Sequence, residues 1–361
     1  MSSIFGNIFK ISSWGESHGP AIGAIIDGCP AGLVIDDNYI QHDLNRRRPG
    51  QSKLTTARTE EDQVEILSGI FQGKTTGTPI SLLIRNKDQR SHDYGDMIEW
   101  YRPSHADLSY DLKYGFRDYR GGGRSSARET AGRVAAGSIA RKLLQDACQT
   151  EILAFVSSIH HIESSVNLKA LNLEQIESSK VRCPDPTASA KMADAILAAK
   201  KGQDSLGGVV TLLIRNCPVG IGEPVFDRLE ARLAQAMLSI PATKGFEFGS
   251  GFAGTMLKGS EHNDEIFYED SRFRTRTNRS GGVLGGISNG EDIVARIAFK
   301  PTATISQAQK TVNKKGESGI LKAKGRHDPC VVTRAPVIVE TLAALVIADL
   351  FLEQRSKSQL F

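Results

Sequence analysis

The sequence is poor in cysteine and in aromatic residues, and it contains no long uninterrupted apolar run. Its five cysteines are odd in number and no two have C-x-x-C spacing, so we expect reduced thiols and neither a disulfide framework nor a metal site. The longest apolar segment, 335–352, is interrupted by Glu340 and Asp349, which predicts a buried helix and not a membrane span. The first residues lack the charged-then-apolar layout of a signal peptide. A cytoplasmic protein is therefore expected.

The balance of charge points to a small partner. The chain has 45 Lys and Arg residues against 41 Asp and Glu, a net charge of +4. Nucleic-acid-binding domains carry stronger and more clustered positive charge, so this balance suits a small anionic ligand better. The 361 residues are 40% hydrophobic, which is enough for one large core. The 35 glycines are above the usual share of about 7% and indicate many tight turns and close backbone contacts with ligands.

The stretch 118–133 changes character abruptly at its middle. Gly121 to Gly123 cannot lie inside a helix or strand without a large entropic cost, whereas strong helix formers run from Ala127 to about Leu144. Ser125 and Ser126 stand where a helix needs an N-cap, and Glu129 has capping-box spacing from Ser126. A helix N-terminus of this kind binds anions. Four arginines surround it: Arg120, Arg124, Arg128 and Arg133.

Two interpretations of this stretch are open. A flexible glycine linker before an ordinary surface helix is one of them. The helix is rich in alanine and glycine, however, and small residues allow close packing of backbones, so we favour a buried helix with a phosphate site at its start. The spacing fits neither a Walker P-loop nor a dinucleotide-binding fingerprint.

Further polar clusters lie on turns. Three arginines, 46–48, end a helix predicted from Asp36 and are followed by Pro49, Gly50 and Lys53, which favours a phosphate or carboxylate grip over simple capping of the helix dipole. His18 lies between Gly15 and Gly19 at the end of a predicted strand. His105 lies in a long polar loop, flanked by Arg102 and Asp107. These two histidines are the candidate acid–base groups.

The remaining pattern predicts the fold class. Strands and helices alternate irregularly without a repeat, which favours an α+β fold with layered architecture. Residues 260–279 are polar and charged and are predicted to form an exposed loop. The paired glycines of 280–290 suggest backbone lying against a flat ligand or another chain.

Six motifs together resemble the chorismate synthase family. They are GESHG at 15–19, RRRPG at 46–50, RPSHAD at 102–107, the stretch 118–133, SGGVLGGISNG at 280–290 and GRHDPC at 325–330. The resemblance implies a single-domain β-α-β sandwich over residues 1–361 and a homotetramer. It also implies the last common step of aromatic amino acid biosynthesis, the shikimate pathway lyase reaction that converts 5-enolpyruvylshikimate 3-phosphate to chorismate. This 1,4-anti elimination of phosphate requires reduced FMN without net redox change.

The resemblance also assigns roles to individual residues. His18 corresponds to the acid that protonates the departing phosphate, His105 to the histidine that protonates the reduced flavin, and Ser17 with Asp328 to a proton relay. Arg47 and Lys53 correspond to substrate or NADP contacts. The positions that resemble flavin contacts are Arg124, Ser125, Ser126, Pro241, Ala242, Gly285, Lys300, Pro301, Thr302, Ala303, Thr304 and Arg326.

Two other functions are kept beside this one. An FMN- or NADPH-dependent oxidoreductase would share the phosphate grips but would consume one reductant per turnover. An RNA-binding module could use the arginines of 272–279, but only Tyr268 and Phe273 are near enough to stack on bases. NADPH as the source of reduced flavin is left open. Lys53, where relatives often have arginine, would lose bidentate geometry.

Overall fold

The computed structural model describes residues 3–56, 58, 60–88, 95, 97–323 and 327–357. The helices in this part of the chain are α1 (Asp37–Arg47), α2 (Asp107–Tyr114), α3 (Thr130–Cys148), α4 (Leu173–Glu177), α5 (Pro186–Lys201), α6 (Leu229–Leu238), α7 (Gly259–His262) and α8 (Ala335–Lys357). The strands are β1 (Ile4–Phe5), β2 (Lys10–Gly15), β3 (Ala21–Asp27), β4 (Val64–Ile66), β5 (Ile70–Phe71), β6 (Lys74–Thr75), β7 (Ile80–Arg85), β8 (Glu151–Ile159), β9 (Ile162–Glu163), β10 (Gly208–Arg215), β11 (Thr243–Phe248), β12 (Ile266–Glu269), β13 (Arg272–Thr275), β14 (Val283–Leu284), β15 (Ile287–Ser288), β16 (Ile293–Phe299), β17 (Gln309–Val312) and β18 (Ser318–Leu321).

Two antiparallel sheets enclose a layer of helices. The first has the order β1-β2-β3-β7-β4 and the second the order β11-β16-β10-β8-β9. In the first sheet Ile22 pairs with Ile84 and Ile26 with Ile80, and all four side chains are fully buried. Period-two alternation therefore turns one face of the sheet towards the helices. The layered β-α-β sandwich of α+β class expected from the sequence is confirmed.

The two long helices α3 and α8 form the middle layer, where α3 packs on the first sheet and α8 on the second. A Cβ at Gly132 of α3 would lie 2.6 Å from the carbonyl oxygen of Gly23 in β3. A Cβ at Gly137 would lie 2.4 Å from the carbonyl oxygen of Thr341 in α8. Small residues thus set the spacing of the layers, and the prediction that this helix is buried is confirmed.

Helix α8 is long and apolar enough to cross a membrane by length and composition. However, 89% of its apolar window is buried inside the protein, which is the situation of a core helix. Its two internal acids are neutralised by partners. Glu340 pairs with Arg46 (2.6 Å) and Arg141 (3.3 Å). Asp349 pairs with Arg232 (2.9 Å) and accepts hydrogen bonds from the backbone N–H groups of residues 7–9.

The expectation that residues 260–279 form a loop was wrong. The segment contains α7 and the hairpin of β12 and β13, in which Tyr268 pairs with Phe273. Asp270 and Ser271 form the turn with φ of 49° and 61°. Turns with two positive φ angles usually have the sequence Asn-Gly or Asp-Gly, which is absent at this position. The hairpin buries no face, so neither alternation nor turn residues marked it in the sequence.

Candidate active site

A cavity of about 380 Å³ opens where the helix layer meets several loops. Its wall is built from Ser17 after β2, Arg47 at the end of α1, and segments of 102–106, 121–130, 240–242, 299–304 and 327–338. These pieces are distant in sequence, and the ends of both sheets and of α1 and α3 bring them together. Residues from five of the six motifs line the cavity among the described residues, and the glycine-rich stretch 280–290 contributes none.

The glycine turn lies against both candidate histidines. Gly121, Gly122 and Gly123 have φ of 62°, 87° and 52°, in the left-handed region. A Cβ on Gly121 would lie 2.2 Å from Cε1 and Nδ1 of His18, and one on Gly122 would lie 3.0 Å from Cε1 of His105. The turn therefore needs glycine for close approach as well as for backbone conformation.

His18 is buried beside this turn. Burial, with the charge of Arg58 next, lowers the pKa of His18 to about 4, although Asp118 opposes the shift. The imidazole is consequently neutral at pH 7. A bound anion would favour the protonated form, because a nearby negative charge raises the pKa of an acid–base group.

His105 is held by a carboxylate. Its Nδ1 lies 3.0 Å from Oδ1 of Asp107, and Asp107 in turn accepts two side-chain hydrogen bonds from Arg102 (2.7 and 2.8 Å). Burial is the first cause that lowers the pKa of His105, with Arg102 and Lys300 adding to it and Asp107 opposing it. The His105 ring lines the cavity.

The cavity wall carries an excess of guanidinium groups. Arg47 is 2% exposed and pairs with Asp62 at 2.9 Å. Its pKa is lowered to about 10, first by burial and then by three neighbouring cations that outnumber this one acid. Those cations are Arg128, Arg334 and Arg58.

Three polar side-chain atoms of residues in this wall lack a hydrogen-bond partner within the described part of the chain. Nε of Arg47 and Nε of Arg334 are buried without a hydrogen-bond partner among the described residues, and the same is true of the Thr302 hydroxyl. All three residues line the cavity. Buried polar groups are normally hydrogen-bonded, so this wall is suited to an anionic ligand with several acceptor oxygens.

Asp328 and Ser17 both line the cavity. Asp328 accepts a hydrogen bond from the backbone N–H of Thr56 (3.0 Å) and is paired with Arg334. The Ser17 hydroxyl lies beside the turn, 3.0 Å from the position of a Cβ on Gly121. The structure therefore brings the predicted serine and aspartate to one cavity.

The predicted flavin contacts divide into two groups. Eight of them line the cavity: Ser125, Ser126, Pro241, Ala242, Lys300, Thr302, Ala303 and Thr304. Lys300 ties two walls together, since its Nζ donates to the carbonyl oxygen of Ser104 (3.1 Å) and its backbone N–H to that of Ala242 (2.9 Å).

Four of the predicted ligand-contact positions within the described residues do not line this wall: Arg124, Gly285, Lys53 and Pro301. The Arg124 guanidinium donates to Gly15 and Ser13 of β2, with a shortest distance of 2.7 Å. Gly285 lies exposed at the tip of the β14–β15 hairpin, and Lys53 is exposed. Pro301 is next to lining residues but does not line the cavity, and Arg326 lies outside the described residues.

Two expectations about arginine need correction. The run 46–48 does not act as one grip, because Arg46 is committed to Glu340 and Glu177 inside the protein, and only Arg47 lines the cavity. Around the start of α3, Arg120 and Arg133 are likewise committed, to Asp118 and Glu129 respectively.

The helix start also differs from the expectation. Ser126 caps a short 3₁₀ turn of residues 127–129 by accepting from the backbone N–H of Arg128 (3.3 Å), and α3 follows from Thr130. Glu129 bonds to Arg133 and not back to Ser126, so the described contacts do not include the predicted capping box.

Sequence reasoning missed several cavity residues. Thr56, Arg58 and Arg334 lie in stretches without glycine pairs or histidine, so nothing local distinguished them from surface residues. Asp62, the buried partner of Arg47, was also missed, because its left-handed backbone with φ of 51° is not visible in the sequence.

Comparisons with known proteins show which family the chain resembles over its length. The sequence pattern of the family described as chorismate synthase matches residues 9–352. A chorismate synthase of Synechocystis sp. is 61% identical over 350 residues, which are 97% of each chain, and one of Rippkaea orientalis is 56% identical over the full length of both. A crystal structure of a chorismate synthase has a TM-score of 0.76 at 33% identity, and the match covers 97% of this chain and 93% of the other.

Proposed function

The chain belongs to the chorismate synthase family, an enzyme family of the shikimate pathway, and from that premise we propose the reaction in detail. The protein is a lyase that eliminates phosphate from 5-enolpyruvylshikimate 3-phosphate in the 1,4-anti sense, giving chorismate. The elimination requires reduced FMN and is redox-neutral overall. The whole chain, residues 1–361, acts as one domain.

One observation carries this proposal: the surplus of positive charge on a buried cavity wall. Arg47, Arg58, Arg128 and Arg334 all line the cavity, where Asp328 supplies a carboxylate. The pKa of Arg47 is lowered first by burial, and the other three guanidiniums add to this effect against the opposing charge of Asp62. The proposed substrate has one phosphate and two carboxylates. Such a ligand would offset the positive charge of these guanidinium groups and accept hydrogen bonds on the cavity wall.

The lining of the cavity also supports flavin mononucleotide as a proposed ligand. Small and apolar residues such as Ala242, Ala303 and Ile338 line it beside hydroxyl and ammonium donors, which matches a flat ring system with a phosphate tail. Reduced FMN, when bound, would lend electron density to the substrate transiently. The residues proposed to hold it on the support of this lining are Ser125, Ser126, Pro241, Ala242, Lys300, Thr302, Ala303 and Thr304. Arg124, Gly285, Pro301 and Arg326 are proposed from the family resemblance alone.

Side chains of this protein are proposed to donate and accept the protons of the reaction. We assign His18 as the acid for the departing phosphate, because an anion bound beside Arg58 would raise the low pKa of this imidazole towards neutrality. His105 is assigned to the flavin side of the cavity. Ser17 with Asp328 is assigned as the relay for the ring proton, supported by their shared position on the cavity wall.

Other features are proposed from the family alone. These are a homotetramer, a cytoplasmic location, and no membrane or nucleic-acid partner. Arg47 and Lys53 are proposed as substrate or NADP contacts, with NADPH as a possible source of reduced flavin.

An anaerobic assay tests the reaction. Enolpyruvylshikimate phosphate is supplied in large excess over reduced FMN, and chorismate and phosphate are counted per FMN added. Many turnovers per reductant are expected, whereas an FMN- or NADPH-dependent oxidoreductase would stop at one. No chorismate at all would refute the proposal.

Neighbouring arginines provide a matched pair of variants. Arg47→Lys keeps a charge for Asp62 but loses the bidentate fork, so the KM for the substrate should rise by roughly tenfold or more. Arg48→Lys changes an exposed residue in the next position and should leave the KM as it is. Equal effects of the two changes would contradict the assignment of Arg47.

A further inference from the structure

The carboxylate of Asp107 has an arrangement that capping a helix does not require. It is 2% exposed at the first residue of α2. Its Oδ2 accepts from both the backbone N–H (3.1 Å) and Nε (2.7 Å) of Arg102, and its Oδ1 accepts from Arg102 again (2.8 Å). Oδ1 also lies 3.0 Å from Nδ1 of His105 and 3.5 Å from Nε of Arg117.

This carboxylate is ionised and therefore can only accept hydrogen bonds. Burial alone would raise the pKa of Asp107, but hydrogen bonds from Arg102 and His105 outweigh burial and hold the pKa well below its usual range. Arg117 adds a second guanidinium at 3.5 Å. Because an ionised carboxylate has no proton to give, the hydrogen between it and His105 belongs to Nδ1 of the histidine.

We propose that Asp107 is a positioning residue that fixes His105 in the tautomer with hydrogen on Nδ1 and a free lone pair on Nε2. In this state Nε2 is the ring atom left to exchange a proton with a bound molecule. Nε2 lies 3.2 Å from the position of a Cβ on Gly122, so it faces the glycine turn and not the interior of the Arg102–Asp107 cluster. The inference deepens the proposed function, since it rests on His105 acting there as an acid–base group.

The substitution Asp107→Asn makes opposite predictions for a positioning role and a merely structural one. Oδ2 accepts two hydrogen bonds from Arg102 and Oδ1 accepts one, so the amide keeps more of them with its oxygen at the Oδ2 position and its NH₂ group at the former Oδ1, where the hydrogen bond from Nη2 of Arg102 is lost. That NH₂ would donate to Nδ1 of His105 and move the ring hydrogen to Nε2. A structural role predicts lower stability without this reversal.

The experiment measures the tautomer directly. Long-range proton–nitrogen NMR spectra of protein with isotope-labelled histidine identify the protonated ring nitrogen, and the signal of His105 is assigned by its absence in His105→Gln. We expect hydrogen on Nδ1 in the wild type and on Nε2 in Asp107→Asn. Turnover of Asp107→Asn should fall about tenfold to a hundredfold, the usual range for groups that orient a functional histidine, with a smaller change in KM.

The control is Asp111→Asn, which removes a carboxylate one turn further along α2 that pairs with Arg117. It should leave both the tautomer and the turnover unchanged. An unchanged tautomer in Asp107→Asn overturns the inference, whatever happens to turnover.

If Asp107→Asn does not fold, the wild-type spectrum decides, since hydrogen on Nε2 there overturns the inference as well. The spectra need no turnover. Failure of the proposed reaction is therefore distinguishable from failure of this inference.

Discussion

Substitution of Gly121 by alanine tests the central geometry of the cavity. The new Cβ would lie 2.2 Å from Cε1 of His18, so the imidazole or the turn must move by about 1.2 Å to restore an ordinary 3.4 Å contact. A misplacement of about 1 Å can cost roughly a hundredfold in rate. We therefore expect turnover in the reduced-FMN assay to fall by about that factor.

The control separates this clash from backbone strain. Gly73 has a similar left-handed φ of 74°, but a Cβ there meets nothing within 4 Å. Both substitutions should lower the free energy of unfolding by about 1–2 kcal/mol, the cost of a left-handed non-glycine residue. Only Gly121→Ala should lose turnover.

A graded series sharpens the comparison. Gly122→Ala brings a Cβ to 3.0 Å from His105, a milder conflict than that at Gly121, and should have an intermediate effect on turnover. Urea titrations and steady-state rates are measured on the same samples. Equal turnover of Gly121→Ala and Gly73→Ala would show that the close approach of the turn to His18 has no role in catalysis.

Three further predictions concern stability. Glu340→Ala removes the buried carboxylate shared by Arg46 and Arg141 and leaves Arg46 with Glu177 and Asp43, so urea unfolding should show a loss at the lower end of about 3–5 kcal/mol; a loss below about 1 kcal/mol would show that the remaining acids replace the pair. The pKa of His18 is about 4 in the folded protein and 6.5 in its ordinary state, so the unfolded chain binds more protons between these pH values. The free energy of unfolding should therefore fall as the pH drops from 6.5 to 4, and His18→Gln should flatten this dependence on pH. Arg124→Ala removes hydrogen bonds to β2 and should lower the stability by about 1.5–3 kcal/mol, so an unchanged melting temperature would contradict the structural part of its role.

Much of the architecture could be predicted because its signals are local. Burial can be inferred locally from three patterns: the alternation in β3 and β7, the Ala- and Gly-rich face of α3, and the apolar run of α8. The hairpin of β12 and β13 was missed because it buries no face, so neither burial nor turn chemistry left a pattern.

The candidate acid–base groups could be identified from the sequence. His18 and His105 stand in polar turns, and three consecutive glycines indicate a close contact between the backbone and another group. The tertiary structure shows that the close neighbours of these glycines are the same two histidines. It also decided between adjacent arginines. Consecutive helical residues point about 100° apart, so Arg47 reaches the cavity while Arg46 turns into the ion pairs of the core. Which direction faces the cavity depends on how α1 packs against α3 and α8, and that packing is the sum of contacts hundreds of residues apart.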